Sequence, residues 1–404
     1  MSTDTPPADT ATATGVPVYR LSLSYFLYFS ILGALVPFLG RYLRAYGFGF
    51  DQISQVAAVL SLAMSIGPFL WASLSDRTGK RMLFAKLSAL FLVLIGIVFG
   101  LSSQPLWQVV CVGLFGLFLS SVVPQLESVT LEYLGPSSTR YGNIRLWGTL
   151  GFATMVILLG PLLSGDAARL LPWAMVLIAA AALLSFMFLQ DVPIAGRGPR
   201  DQIEWSAFFD RLKRSPVWGL YTALFLWNVS LAAYNTFFDL YLQDVGYSGL
   251  AIGGYLALAP VAEVGLFVIL SRLLTRWGAV TVLVVALLGT AVRWLMTAWV
   301  ADIWWLLAVA QVGHALTYGA MHGSSMYLLS RLFPNNQQAR AQALYLAFST
   351  GFGLVAGNLL AGRLWDLPGG PQWVFSLNAL LCLVSIALIL GTMRGHRIRQ
   401  LLSH

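Results

Sequence analysis

Five ionisable side chains sit where such groups are costly: Glu127, Arg145, Glu263, Arg293 and His314 all fall inside long apolar stretches of a 404-residue chain. A charged side chain at mid-bilayer costs at least ~2.5–3.5 kcal/mol, so five unpaired ones would cost about 15 kcal/mol, more than the stability margin of many proteins. They must pair or line a water-filled space. Their types suit proton chemistry. A carboxyl group at Glu263 holds or releases a proton according to its neighbours, arginine keeps its own, and histidine donates, accepts or titrates near neutral pH. Arg293 is the nearest candidate partner of Glu263. His322 lies two turns beyond His314, with Tyr318 between them. Glu127 and Arg145 are 18 residues apart on successive apolar stretches. Antiparallel neighbours joined by a short loop bring such a pair face to face; snorkelling to the interface is the rival reading. A purely structural ion pair or interhelical bond is the rival for the others.

Helices in lipid must position these groups. Hydrophobic residues make up 58% of the chain and charged residues 10%, against about 25% charged in soluble proteins. Apolar runs of about 20 residues, long enough to cross a membrane, recur along the whole length. The expectation is an all-α membrane protein with twelve transmembrane helices, at roughly 20–42, 51–72, 83–102, 106–133, 143–163, 168–190, 215–242, 250–271, 279–299, 303–331, 338–364 and 371–393. Outside or at the ends of these spans, one set of loops holds 19 Lys and Arg and the other holds four, Arg41, Arg44, Arg169 and Arg363. Basic loops stay in the cytosol, which predicts two cytosolic termini in an inner-membrane protein. The polar stretch 191–214 reads as a cytosolic linker between six-helix bundles at 20–190 and 215–393, with a disordered lead over 1–19 and a tail over 394–404. The lead has no basic residue before Arg20, unlike a cleavable signal.

The halves repeat. An offset of 199 aligns Leu74 with Leu273, Arg77 with Arg276 and Gly79 with Gly278; an offset of 200 aligns Arg140 with Arg340 and Gly151 with Gly351. This predicts two parallel bundles related by pseudo-twofold symmetry. The charges do not repeat: Glu263, Arg293 and His314 match Met64, Leu94 and Phe115, and Glu127 and Arg145 match Tyr327 and Tyr345. Each half is therefore specialised.

Other classes are disfavoured. The net charge of +8 comes from basic residues scattered over short loops, not from an aromatic-basic patch for nucleic acid. Cys111 and Cys382 lie in apolar runs and build neither a disulfide framework nor a metal centre. No phosphate-binding Gly-x4-Gly-Lys-Ser/Thr loop occurs: Lys80 follows Gly79, but Arg81 holds the Ser/Thr place. Neither ATP drive nor an enzyme is expected, and no cofactor.

The segment Leu74–Arg81 resembles the signature loop of the major facilitator superfamily, Gly-x-Leu-x-Asp-Arg-x-Gly-Arg-Lys, with Ala72 at the first Gly; the second copy has Thr275 in place of Asp76. The resemblance implies a secondary transporter in which Asp76, Arg77, Gly79, Lys80 and Arg81 form a cytosolic gate motif. Asp76 is expected near a helix N-terminus, where its charge is favoured, with Arg77 and Arg81 bridging neighbouring helix ends.

The charged constellation is similar to the lactose permease branch. That similarity implies substrate binding by Glu127 and Arg145, stacking by Phe152, and proton coupling by Glu263, Arg293 and His314. The permease's second carboxylate, one turn after its histidine, is here Thr317, which implies a proton site resting on Glu263 alone. The chain more closely resembles the 3-phenylpropionate transporter group, at Tyr141-Gly142, Arg145-Leu146-Trp147-Gly148, Ala262-Glu263, Val292-Arg293-Trp294 and the paired His314 and His322. That resemblance implies proton-coupled uptake of an aromatic carboxylate, with Trp147 and His322 added to the binding residues and Arg145 or Arg293 pairing the carboxylate. A proton-coupled sugar or nucleoside symporter and a proton-driven exporter of amphipathic compounds are the alternatives. Expected partners are a small-molecule substrate, protons and membrane lipid; one twelve-helix chain encloses a complete pathway, so the expected unit is a monomer.

Overall fold

A computed structural model describes residues 16–102, 104–135, 140–191 and 205–393, without the side chains of 72, 73, 76 and 77. Residues 1–15 of the expected lead, 192–204 of the linker and the whole tail lie outside the described residues. The rest is almost wholly helical. The first half holds α1 (Val18–Ala45), α2 (Phe50–Thr78), α3 (Arg81–Leu101), α4 (Pro105–Leu134), α5 (Tyr141–Leu162) and α6 (Leu171–Met187). A short helix, α7 (Trp205–Leu212), occupies part of the expected linker. The second half holds α8 (Ser215–Val245), α9 (Gly249–Trp277), α10 (Ala279–Trp299), α11 (Trp304–Val312), α12 (Met321–Leu332), α13 (Asn335–Leu344), α14 (Gly353–Trp365) and α15 (Gly370–Thr392).

Among the described residues, eleven helices are long and apolar enough to cross a membrane. The expected tenth span falls outside that number because a turn at Gly313 divides it: α11 ends at Val312, and a π-helical stretch, Ala315–Ala320, then leads into α12. A second π-helical stretch, Tyr345–Phe352, joins α13 to α14. π-Helical turns inside α-helices are rare and concentrate at functional sites. One is flanked by His314 and the other begins at Tyr345.

Local chemistry sets the helix ends. Gly79 closes α2 with φ +68, a left-handed cap open to glycine. Because α2 runs on to Thr78, Asp76 belongs to the last turn of that helix and not to the start of α3. The carboxylate at the start of α3 is instead Asp191, which accepts the Met82 amide at 2.7 Å. Arg81 pairs with Glu132, joining α3 to α4, and Lys80 is exposed.

Within the first half α1 packs on α5 and α6, and α4 on α2 and α3; within the second, α8 packs on α14 and α15, and α10 on α15. The halves meet through α5 with α9, α2 with α14 and α1 with α8. The close approaches gather toward the end of the molecule away from the chain termini. Gly160 of α5 and Gly249 of α9 meet backbone to backbone, leaving no room for a Cβ on either. Asn358 Nδ2 donates to Ser61 Oγ at 3.3 Å. At the same end Arg41 of α1 pairs with Asp239 of α8, both buried. Arg41 Nε donates to Asp239 Oδ2 at 2.9 Å, its Nη1 to the Gly160 carbonyl at 2.7 Å, and Gln243 Nε2 to Asp239 Oδ2 at 2.9 Å. Arg41 had read as a loop residue, and Asp239 stood outside the five candidates although it lies within the seventh expected span.

Removing one partner of a buried pair leaves an uncompensated charge, at a cost of about 3–5 kcal/mol, whereas replacing both with apolar groups is near neutral. Arg41→Met and Asp239→Leu are each expected to lower the melting temperature of the purified protein. The double variant is expected to recover most of the loss in a thermal-shift assay.

Candidate functional site

The five expected side chains form three groups. Glu127 of α4 and Arg145 of α5 face each other, with Arg145 Nε 3.8 Å from Glu127 Oε1. Tyr141 donates its hydroxyl to the same carboxylate oxygen at 3.0 Å. The Arg145 guanidinium lies over the Phe29 ring of α1, 4.0 Å from its centroid, and 5.8 Å from that of Tyr25. Gly148 permits this, since a Cβ there would collide with Phe29 and with Arg145 Nη1. Phe152 follows Arg145 by seven residues, or about two turns, and so shares its face.

Trp147 is not part of this group. Two residues from Arg145 it lies about 200° around α5, and it is 47% exposed.

In the second half Glu263 of α9 lies beside His314, Oε2 to Nε2 3.9 Å. Gly319, inside the π-helical stretch, makes room for Glu263: a Cβ there would lie 3.0 Å from Glu263 Cγ. His314, Tyr318 and His322 form a strip of near-parallel rings, 3° and 7° between successive planes, with centroids 6.1 and 6.2 Å apart. The strip continues to Tyr345 at the start of the second π-helical stretch, and Trp227 of α8 lies beside Tyr318. Tyr318 is 46% exposed. Arg145 of the first half is within electrostatic reach of both Glu263 and Tyr318.

Arg293 of α10 forms the third group. Among the described residues no ion pair joins it to Glu263, so the expected partnership gives way to a different one. Its Nε donates to the Ala310 carbonyl at 3.0 Å and its Nη2 to Gln311 Oε1 at 3.3 Å. The guanidinium sits 4.1 Å from the Tyr234 ring centroid and 4.5 Å from that of Trp294. Tyr234 donates its hydroxyl to Gln311 Oε1 at 2.8 Å. Neither Gln311 nor Tyr234 was among the expected site residues. A glutamine three residues before a histidine inside an apolar run was the available signal.

A family profile described as MFS_1 like family matches residues 18–377. A probable 3-phenylpropionic acid transporter of Escherichia coli (strain K12) is 27% identical over 363 residues, covering 89% of this chain and 94% of that protein. A maltose permease of Geobacillus stearothermophilus is 29% identical over 381 residues, covering 92% of each. The crystal structure of the nucleoside transporter NupG superposes with a TM-score of 0.82 at 16% identity, over 94% of this chain and 99% of that one.

The faces of α5 generate a contrast. Phe29→Ala removes a cation–π partner worth about 0.5–2 kcal/mol and is expected to weaken apparent solute affinity severalfold. Trp147→Ala is expected to leave it within twofold. Concentration-dependent uptake in cells, at matched expression, checks both.

Proposed function

With the premise that the chain belongs to the MFS_1 like family and is a multi-pass membrane transporter, not an enzyme, we propose that it is a proton-coupled symporter of the bacterial inner membrane. Its solute is an aromatic carboxylate such as 3-phenylpropionate, taken up with both termini in the cytosol. The observation that carries this reading is the approach of Glu263 to His314, with Arg145 of the first half within electrostatic reach of Glu263. A carboxyl group in that setting can cross between the two sides neutral, carrying a proton, and lose it where water reaches it. The biased distribution of basic residues supports cytosolic termini.

The substrate reading is supported by the probable 3-phenylpropionic acid transporter's likeness over nearly the whole chain. It is also supported by the half-exposed ring of Tyr318, parallel to that of His322 and beside Trp227, a surface on which a planar ring can stack. Solute binds between the halves, from Glu127, Arg145 and Phe152 on one side and His322 on the other. Opening alternates as the two bundles rock about this site. Gly79, Lys80 and Arg81, with Asp76 and Arg77, belong to the cytosolic gate, where the Arg81–Glu132 pair ties the ends of α3 and α4.

Glu263→Gln mimics the protonated carboxyl and cannot release the proton. It is expected to abolish accumulation driven by an imposed pH gradient in proteoliposomes while sparing exchange of labelled for unlabelled solute. Accumulation at the wild-type level would remove Glu263 from the mechanism.

A further inference from the structure

Three buried polar atoms grouped around Tyr234 have no partner: Arg293 Nη1, Gln311 Nε2 and His314 Nδ1. Arg293 is 1% exposed, and among the described residues no carboxylate pairs with it. A buried donor without an acceptor costs about 1–3 kcal/mol, and an unpaired buried charge several more. The orientation of Gln311 is fixed by its neighbours. Its Oε1 accepts from Tyr234 and from Arg293 Nη2, so the amide nitrogen is the free end. The group thus offers one positive charge and at least two spare N–H donors. Water can accept those bonds but cannot neutralise the charge. A monoanion with two oxygens in a plane does both.

We propose that Arg293, Gln311 and His314 form the subsite for the solute's carboxylate, and that Arg145, already compensated by Glu127, does not. This rests on the reading of the chain as a carrier of an aromatic acid and places the acid's head group in the second half. The group's least buried member is His314, 16% exposed at its side chain, and its neighbour along the ring strip, Tyr318, is half exposed. A carboxylate reaching Arg293 leaves the solute's ring on the strip of Tyr318 and His322. His314 then links the two cargoes. Its Nε2 faces Glu263 at 3.9 Å. When Glu263 is protonated it donates to Nε2 as the two close, which fixes the imidazole proton on Nδ1 and makes that nitrogen a donor toward the carboxylate. A deprotonated Glu263 instead accepts a hydrogen bond from Nε2–H, which keeps the single imidazole proton on Nε2 and leaves Nδ1 an acceptor that repels the anion. Proton and carboxylate therefore load together.

The test compares equilibrium binding of 3-phenylpropionate and 3-phenylpropionamide to the full-length protein in detergent, without a gradient. Wild type is expected to bind the acid at least about tenfold more tightly than the amide, the range of a charge-assisted bidentate contact. Arg293→Lys, which keeps the charge and loses the fork, should reduce that ratio severalfold. Gln311→Glu gives Arg293 an internal carboxylate; it should bring the ratio to near one and raise the melting temperature, so loss of folding does not confuse the result. Arg145→Gln should weaken both ligands and keep the ratio, and Glu263→Gln should keep it too, since its amide also donates to Nε2. A ratio preserved in Gln311→Glu, or lost in Arg145→Gln alone, overturns the subsite. Failure of wild type to bind either compound also overturns it, while proton-driven uptake of a neutral solute would leave the symport reading standing.

Discussion

Lipid offers a buried charge nothing to bond to, and the whole arrangement of this chain follows from that constraint. Its intramembrane charges are gathered into places where the protein itself supplies the partner. Arg41 meets Asp239 where the halves touch. Glu127 meets Arg145 and Tyr141 inside the first half. Glu263 meets His314 in the second, while Arg293 is held by a backbone carbonyl, an amide and two aromatic faces. Helices that carry such partners cannot drift apart independently. Moving one half against the other would part Arg41 from Asp239, while the pairs within each half would travel with it.

The backbone departs from regular helix next to these groups. The π-helical stretches Ala315–Ala320 and Tyr345–Phe352 both lie in the second half, on neighbouring traverses, and the ring strip from His314 to Tyr345 runs between them. A π turn accommodates an extra residue and re-aims the side chains around it. In the first half α4 and α5 hold Glu127 and Arg145 on uninterrupted helix. One half thus presents regular α-helix at its charged pair and the other a face built on π-helical backbone. The unequal distribution of charge between sequence repeats has its counterpart in this unequal distribution of backbone irregularity.

Much of this was legible in the residues. Hydropathy period and length locate the traverses because the bilayer imposes one length on all of them. Glu263, Arg293 and His314 stand out because they are costly where they are, and the 18-residue spacing of Glu127 and Arg145 does produce a facing pair. What the sequence hid is which partner each charge takes. Arg293 turns to Gln311 and Tyr234 and not to Glu263, because pairing depends on rotation about helix axes, which a hydrophobic pattern without a polar face leaves undetermined. Trp147 shares a motif with Arg145 but not a helix face. Asp239 and Arg41 escaped notice for a related reason: each sits near the end of its apolar run, where a charge normally reaches water, and only the packing of α1 on α8 buries them.

That last pair also explains how a closure can be specific without being permanent. Apolar surfaces that close a gate gain stability with every square ångström buried, about 25 cal/mol each, and must lose all of it to reopen. A buried ion pair behaves differently. Its attraction is offset by the cost of stripping water from both charges, so its net contribution lies near zero while its geometric demand is strict. Under the proposed rocking of the bundles, opening this end would rehydrate Arg41 and Asp239 and return the solvation they gave up. The carbonyl of Gly160 orients Arg41 within the first half and the amide of Gln243 orients Asp239 within α8, and the glycine contact between α5 and α9 lets the backbones meet there without side chains to extract. The closed end is thus selected by direction and fit more than by depth of burial. Such a closure suits the repeated opening that the proposed transport cycle requires.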